Sequence, residues 1–258
     1  MPHERRQRAE EALVNLAEDR LMTEAARRFM RAGVGPWLFA SFKLRTDPVY
    51  KEILRQGILP SRGRILDVGC GLALALSLIR SAQVQYAKAN FPRDWPPPPE
   101  DVELCGLDLR VRQVSIARRA LSGEASIEPA DIRHVMLPRC GAALVLDVLH
   151  YLEPQEQENL LAEIGRVLES GGTIVIREAD SNGGKGFQAV RFSERVRSHL
   201  RGQFRQEFHY RSAEEWERQI AKLGFVTSVQ KMAAGTPFAN VMVLGHRSRD
   251  QKEEKSHK

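Results

Sequence analysis

Short apolar runs alternate with longer stretches of helical spacing from about residue 62 to residue 245. The apolar runs predict strands at 64–68, 102–107, 125–129, 142–146, 173–176, 226–231 and 239–245. Apolar residues three and four apart predict helices at 72–82, 111–121, 155–168, 187–203 and 213–223. This alternation is typical of an α/β fold with a doubly wound, Rossmann-like parallel sheet. We expect seven strands, with the last one antiparallel.

A separate helical pattern precedes this alternation in residues 1–60. Apolar residues at helical spacing predict helices within 2–32 and at 36–43. Asp47 followed by Pro48 is a typical start for a third helix, which we expect to continue to residue 56. We interpret residues 1–60 as an N-terminal helical cap over a domain at 61–247. A charged tail at 248–258 is expected to be disordered.

A proline-rich insert at 84–101 lies between the first helix of that domain and its second strand. Its four consecutive prolines at 96–99 exclude a helix or a central strand. Because the insert leads into the beginning of a strand, we expect it at the sheet edge opposite the one where ligands bind. It is therefore predicted to pack on the surface or to contact another subunit rather than to act in catalysis.

The most informative stretch is 66–71, Leu-Asp-Val-Gly-Cys-Gly, which joins the first strand to the first helix. Two glycines one residue apart allow a sharp turn and a close approach of a ligand to the backbone. A dinucleotide-binding turn would have a third glycine or an alanine at position 74, where this chain has Leu74. Asp67 would also repel a pyrophosphate, whereas it would attract the ammonium and sulfonium groups of S-adenosylmethionine.

These residues resemble the first motif of the class I S-adenosylmethionine-dependent methyltransferases, except for Ala73, where that family usually has a third glycine. Three later stretches are similar to further motifs of the family. Asp108 ends the second strand, where a carboxylate would accept hydrogen bonds from the ribose hydroxyls. Asp131 corresponds to the aspartate that binds the adenine amino group, and residues 168–178 resemble the family's Gly-Gly, apolar strand and glutamate signature.

The resemblance implies S-adenosylmethionine as cofactor and S-adenosylhomocysteine as product. It assigns cofactor-binding positions at the ends of the first four strands and in the residues that follow them. These positions are Asp67, Gly69, Cys70, Gly71, Asp108, Leu109, Asp131, Ile132, Asp147 and Val148.

His150 is the candidate catalytic residue, because it follows the fourth strand at its carboxyl end and histidine is suited to general-base catalysis. The stretch 148–153 is similar to the Leu-His-Asp-Trp segment of caffeate-type O-methyltransferases, whose histidine is the general base. The alternative is that His150 bonds to the backbone or stacks on the cofactor. Weaker candidates for substrate binding are Arg45, Tyr50, Tyr151, Arg177, His209 and Tyr210. Arg177 could pair with an anionic substrate group, or equally with Glu178 or Asp180.

Composition and charge limit the partners and the cellular compartment that we expect for this activity. The net charge of +6 arises from arginines that are scattered and mostly interleaved with acids, so it does not by itself indicate a nucleic-acid partner. No apolar run approaches the ~20 residues of a membrane span, and the charged N-terminus is unlike a signal peptide. Three widely spaced cysteines fit a reducing cytoplasm. We expect a cytoplasmic monomer or homodimer with no metal site.

Residues 43–50, 147–151 and 235–240 also resemble a bacterial subgroup of methyltransferases from aryl-polyene and related pigment pathways. That resemblance implies O-methylation of a phenolic small molecule, either free or attached to a carrier protein. One alternative is an RNA or protein methyltransferase, although an Asn/Asp-Pro-Pro-Tyr tetrad is missing after the fourth strand. The other is a non-catalytic partner subunit that binds the cofactor without turnover.

Overall fold

The computed structural model describes residues 2–200, 207–233 and 236–248, with side chains from residue 12 and, in the seventh helix, only to residue 195. The strands are β1 (Arg62–Val68), β2 (Asp101–Asp108), β3 (Ser126–Pro129), β4 (Cys140–Leu146), β5 (Leu168–Ala179), β6 (Val226–Lys231) and β7 (Asn240–His246). The α-helices are α1 (Pro2–Arg27), α2 (Val34–Thr46), α3 (Pro48–Arg55), α4 (Leu74–Ala87), α5 (Val111–Leu121), α6 (Pro154–Val167), α7 (Gly184–Leu200) and α8 (Ala213–Lys222).

The described strands form one sheet in the order β3-β2-β1-β4-β5-β7-β6. β1 to β5 run parallel to one another, and β7 runs antiparallel to both β5 and β6. The predicted fold class, with its antiparallel last strand, is confirmed. From β1 the chain adds β2 and β3 on one side of the sheet and then returns to add β4 and β5 on the other side. A ligand crevice forms at the carboxyl ends of the two strands, here β1 and β4, between which the strand order reverses.

Burial explains why β1 and β4 lie at the centre of the sheet. Every residue of β4 except the last is buried, as expected for a parallel strand covered on both faces. The first residues of β1 are exposed and its last four, Ile65 to Val68, are buried. The buried end of β1 therefore places Asp67 and the following glycine turn at the crevice between β1 and β4.

The N-terminal helices share the core of one face of the sheet. Phe29, in a 3-10 turn after α1, is fully buried, and the Ser77 hydroxyl in α4 donates a 2.9 Å hydrogen bond to the carbonyl of Ala25. Asp47 caps α3 by accepting from the backbone N–H of Val49, as the sequence predicts. Of the helices of residues 1–60, α1 and α3 thus contact α4, and α2 packs against α1 and α3, while the predicted domain boundary stays a prediction.

The proline-rich insert packs on the edge of the sheet where β1 and β2 begin. The backbone N–H groups of Glu100 and Asp101 donate to the carbonyl of Ser61, and Phe91 and Trp95 are buried edge to face. The insert therefore lies opposite the glycine turn, at the predicted edge. Its start at residue 84 is wrong, because α4 continues to Ala87.

Several other predicted boundaries also shift. The first helix of the sheet domain begins at Leu74 rather than residue 72, because Ala73 adopts a left-handed conformation (φ +58°) before the helix. β5 begins at Leu168, where we predicted the end of a helix, since Leu168 already pairs with Cys140. The predicted end of α7 at residues 201–203 lies outside the described residues, as does most of the predicted disordered tail. No described helix combines the length and the apolar character needed to cross a bilayer.

Candidate functional site

The glycine turn after β1 is held from two sides. The backbone N–H of Cys70 donates a 2.9 Å hydrogen bond to the carbonyl of Leu107 in β2. Gly69 has φ +74°, and a Cβ built on it would lie 2.4 Å from Cγ2 of Val148 in the segment after β4. Gly71 is also left-handed, with φ +56°. The turn is therefore fixed against the ends of both neighbouring strands, at the topological switch point.

Asp67 is 3% exposed just before this turn. Burial and, to a lesser extent, the charge of Asp108 raise its pKa to about 8. No hydrogen-bond donor in the described chain reaches its carboxyl group. Tyr50 in α3 is buried nearby, and its pKa is raised by burial and by the charges of Asp47 and Asp67. The carboxyl group of Asp67 is consequently available to a cationic ligand.

Asp108 lies at the end of β2 beside the glycine turn. Its Oδ2 accepts from the backbone N–H of Gly71 at 2.8 Å, and its Oδ1 accepts from the backbone N–H of Arg110 at 2.9 Å. The guanidinium of Arg110 also binds both oxygens, at 3.0 and 3.1 Å. Leu109 is exposed at the rim. Asp108 thus orders the turn and occupies the position from which a carboxylate could hold a ribose.

The segment after β3 reaches the same region through the backbone, since the N–H of Ala130 donates to the carbonyl of Asp108 at 3.1 Å. Asp131 is bound by the guanidinium of Arg133, with contacts of 2.6 to 3.1 Å, and this pairing lowers its pKa to about 2. Ile132 is partly buried beside it. Asp131 is therefore ionised, but it already has a cationic partner.

A cluster of four charged groups joins the N-terminal helices to the carboxyl ends of β4 and β5. Arg177 pairs with Asp47 at 2.7 Å and with Asp147, and Lys43 approaches the same two carboxylates at 2.7 and 3.0 Å. Burial raises the pKa of Asp47, but the charges of Arg177 and Lys43 outweigh burial and lower it overall. The sequence-based pairing of Arg177 with Glu178 or Asp180 is wrong, because the side chain reaches across to the start of α3.

His150 is 4% exposed in a short turn after β4. Its Nδ1 lies 2.7 Å from Oε2 of Glu178, and the other oxygen of Glu178 accepts from the backbone N–H of Leu149 at 2.7 Å. Its buried Nε2 has no hydrogen-bond partner among the described residues. Since an ionised carboxylate only accepts, this network assigns a ring proton to Nδ1, and in the neutral ring the lone pair is then on Nε2.

Aromatic rings pack around this histidine. Tyr210 stacks on the His150 ring at 5.3 Å between centroids, Tyr151 lies at 4.2 Å, and Phe208 lies at 5.9 Å. The hydroxyl of Tyr151 donates to Glu194 in α7 at 3.0 Å. A cavity of about 50 Å³ lies beside them, and its lining includes Lys43, Asp147, His150, Arg177, Glu178, Glu194, Tyr210 and Asn240.

Two predicted substrate residues lie elsewhere. Arg45 is half-exposed and binds Asp19 and Thr23 of α1, because it stands two positions, about 200° of helix, from Lys43. The His209 side chain contacts Glu153 at 3.2 Å on the outside, although its backbone N–H donates to the carbonyl of His150. Ligand atoms of Glu153, Glu207 and His209 lie within 4.8 Å of one another, so the absence of a metal stays a prediction.

Sequence reasoning missed three residues of this site. Glu178 was visible only as the end of a family signature, without a role. Lys43 and Asp47 lie in the stretch 43–50 that resembles the pigment-pathway subgroup, and Asp47 is also a predicted helix cap, but neither was assigned to the site, since their pairing with Asp147 and Arg177 depends on the contact of the N-terminal helices with the sheet. The spacing of four between them, which brings their side chains together, is the sequence signal for their mutual pairing.

Comparison with protein families gives a match to a model described as a methyltransferase domain, over residues 43–228. The chain is 28% identical over 145 residues to the carboxy-S-adenosyl-L-methionine synthase of Chromohalobacter salexigens and 26% identical over 152 residues to that of Actinobacillus succinogenes. These matches cover 52% and 55% of the chain and 48% and 57% of the relatives. The chain therefore spans about half the length of the curated relatives it matches.

Solved structures share the fold at low sequence identity. An O-methyltransferase family protein from Burkholderia thailandensis is 14% identical with a TM-score of 0.60, and the alignment covers 86% of this chain and 63% of that one. Magnesium protoporphyrin IX methyltransferase from Synechocystis PCC 6803 with bound S-adenosylhomocysteine is 14% identical with a TM-score of 0.54, covering 80% of this chain and 84% of that one. At these identities the likeness concerns the fold alone.

Proposed function

The chain belongs to the methyltransferase-domain family, and we propose that it transfers a methyl group from S-adenosylmethionine to an oxygen of a small molecule. The observation that carries the proposal is a buried histidine whose Nδ1 is bound by Glu178 and whose Nε2 has no partner among the described residues. It lies in the segment that follows β4, two residues beyond the Val148 that contacts the glycine turn. The site thus combines a cofactor cradle with a candidate base.

The residues at the switch point fit S-adenosylmethionine. Asp67 offers a carboxyl group without a donor to a cationic ligand, Asp108 could hold ribose hydroxyls, and Gly69 and Gly71 keep the turn free of side chains. A cationic ligand favours the ionised form of Asp67 and pairs with it, whereas a diphosphate would be repelled by that form and gains no ion pair from it. When bound, S-adenosylmethionine supplies an electrophilic methyl group on a sulfonium sulfur.

In this proposal His150 acts as the general base. Glu178 fixes the ring with the proton on Nδ1, so Nε2 can accept the proton of an acceptor hydroxyl. A phenol, with a pKa near 10, is mostly neutral at pH 7 and gains from such a base. The aromatic rings of Tyr210 and Phe208 favour a flat acceptor. The acceptor is a small molecule, free or carrier-bound, and the protein acts in the cytoplasm as a monomer or homodimer, without nucleic acid.

The test is methylation of a panel of phenols with S-adenosylmethionine, followed by mass spectrometry. We expect His150→Ala to lower kcat by a factor of ~10² or more at pH 7, with S-adenosylhomocysteine affinity near wild type. His246→Ala, an exposed histidine at the opposite edge of the sheet, should retain wild-type turnover. Unchanged turnover in His150→Ala would contradict the role of His150, and methylation of RNA or protein alone would contradict the small-molecule acceptor.

A second candidate function comes from the curated relatives, which are named carboxy-S-adenosyl-L-methionine synthases. In that case the reaction would change the nucleoside itself rather than transfer its methyl group. The same mass spectra separate the two functions when the assay also contains small carboxylic acids as possible donors, since a synthase needs a source for the carboxyl group that it adds. A methyltransferase produces S-adenosylhomocysteine together with a methylated acceptor, whereas a synthase produces a nucleoside heavier than S-adenosylmethionine by a carboxyl group.

A further inference from the structure

One three-residue pattern occurs at both predicted adenosine-binding acids. Residues 108–110 are Asp-Leu-Arg and residues 131–133 are Asp-Ile-Arg. In both, Oδ1 of the aspartate accepts from the backbone N–H of the arginine two positions later, at 2.9 and 3.1 Å. In both, the guanidinium of that arginine folds back onto the same carboxylate. The two acids that would hold the nucleoside are therefore each paired with a neighbouring cation.

The first pair saturates Asp108. Its two oxygens receive the backbone N–H groups of Gly71 and Arg110, and Nε and one terminal nitrogen of Arg110 add a bidentate pair at 3.0 and 3.1 Å. A carboxylate has about four acceptor sites, so all of them are used. The same terminal nitrogen lies 3.4 Å from a Cβ built on Gly71, which places the guanidinium over the glycine turn.

The second pair is similar in geometry, but its carboxylate is more exposed. Nε of Arg133 lies 2.9 and 3.1 Å from the two oxygens of Asp131, and a terminal nitrogen lies 2.6 Å from Oδ2. Another terminal nitrogen of Arg133 approaches Glu156 at the start of α6 at 3.5 Å. Arg133 can therefore pair with Glu156 when a ligand binds Asp131.

We propose that Arg110 and Arg133 are internal competitors of the cofactor, which occupy the ribose and adenine acids until the nucleoside displaces them. This inference rests on the proposed function, since it assumes that the ligand is an adenosine derivative. The arginines are well placed to leave, because 47% and 38% of their side-chain surfaces are exposed, whereas Asp108 is 5% exposed and stays in place. The two ion pairs thus lower the affinity for the cofactor, and the stronger each pair is, the weaker the cofactor binds.

The experiment is calorimetric titration of the full chain with S-adenosylhomocysteine. Arg110→Ala removes the guanidinium and keeps the backbone N–H, so we expect affinity about three- to tenfold higher than wild type. Arg133→Ala should give a smaller gain in the same direction, because the carboxylate of its pair, Asp131, is 24% exposed and therefore better solvated than Asp108 at 5%. The matched control is Arg112→Ala, an exposed arginine in the first turn of α5 without an ion pair in the described chain, which should stay within twofold of wild type.

Equal or weaker binding by Arg110→Ala than by wild type would overturn the inference, because it would mean that Arg110 is neutral or contacts the bound nucleoside. Arg110→Gln repeats the test with a side chain of similar bulk, in case the alanine variant fails to fold. If the wild type binds S-adenosylhomocysteine but the variants bind it no more tightly, the result contradicts the role of the two arginines as competitors and leaves the proposed function standing. No binding by wild type or by any folded variant contradicts the proposed function, and the inference with it.

Discussion

Asp67 shows how burial alters the chemistry of a single residue in this site. From the sequence it is a negative charge that attracts a cation. In the structure, burial and the neighbouring Asp108 raise its pKa to about 8, so it holds a proton at pH 7 in the ligand-free protein. Because this pKa lies above the unfolded value of 3.8, the stability it contributes is present below pH 3.8 and is lost as pH rises through 8.

A cationic ligand should reverse this preference and favour ionised Asp67. We therefore expect S-adenosylmethionine binding at pH 7 to release close to one proton and to tighten as pH rises from 6 towards 8. Calorimetry in phosphate and in Tris, whose ionisation enthalpies differ, measures the release. The Asp67→Asn variant should bind S-adenosylmethionine without releasing this proton. Identical heats for the wild type in both buffers would contradict this account of Asp67.

Gly69 combines two constraints that can be separated by mutation. Its φ of +74° costs an alanine about 1–2 kcal/mol, and a Cβ would also collide with Val148 at 2.4 Å. Gly69→Ala should therefore lower the free energy of unfolding by about 2–4 kcal/mol in urea denaturation, and should weaken S-adenosylmethionine binding at least tenfold.

Gly123→Ala is the matched control for Gly69→Ala. Its φ of +82° is equally left-handed, but no atom lies within 4 Å of a Cβ built there. It should lose only about 1–2 kcal/mol of stability and bind the cofactor normally. Equal losses in the two variants would show that the contact with Val148 does not constrain the turn.

Residue types and spacing predicted part of this site and missed the rest for a physical reason. Asp67 and Asp108 lie at the carboxyl ends of β1 and β2, His150 follows β4, and parallel strands bring their carboxyl ends to one edge of the sheet. The partners of these residues depend on side-chain contacts between distant segments. Glu178 binds His150 from 28 positions away, and Arg110 covers Asp108 in a way that no motif indicates.

At the scale of elements, the charged cluster links α2 and α3 to β4 and β5. Arg177 is 7% exposed and Asp47 is 5% exposed, so neither can be solvated if its partner is lost. The cluster places Lys43 of α2 at the wall of the cavity beside His150. The N-terminal helices are thus connected to the candidate active site by ion pairs as well as by the apolar core.

Removing one cation of this cluster should be costly. Arg177→Met leaves Asp47 buried beside only Lys43, and we expect a loss of about 3–5 kcal/mol in the free energy of unfolding. The double variant Arg177→Met with Asp47→Asn should recover more than 1 kcal/mol of that loss, because the buried carboxylate that lost its pairing with Arg177 is removed. A urea-denaturation cycle measures the coupling, and strictly additive losses would contradict a direct interaction.

Element order was more predictable than element boundaries. Apolar runs and helical spacing determine which segments are strands and helices, and these were confirmed across the described sheet. Boundaries depend on single residues such as Ala73, whose left-handed conformation delays α4, and on pairings such as Leu168 with Cys140, which starts β5 early. Such pairings are tertiary and leave no periodic signal in the sequence.

At the scale of the whole molecule, the fold, the family match and the site indicate one kind of ligand. The sheet order places the glycine turn and the β4 end at the switch point, where this architecture binds ligands. The family model covers most of the sheet and the segment that carries His150. We conclude that this crevice binds a cationic nucleoside rather than a dinucleotide.

The most direct test of that claim is a pair of calorimetric titrations of the full chain, one with S-adenosylmethionine and one with NAD. We predict saturable binding of one S-adenosylmethionine per chain and no measurable binding of NAD at the same concentrations. Asp108→Ala should lower the affinity for S-adenosylmethionine in the first titration at least tenfold, which corresponds to about 1.4 kcal/mol of binding free energy. Binding of NAD that displaces S-adenosylmethionine, or no binding of S-adenosylmethionine at all, would contradict the account.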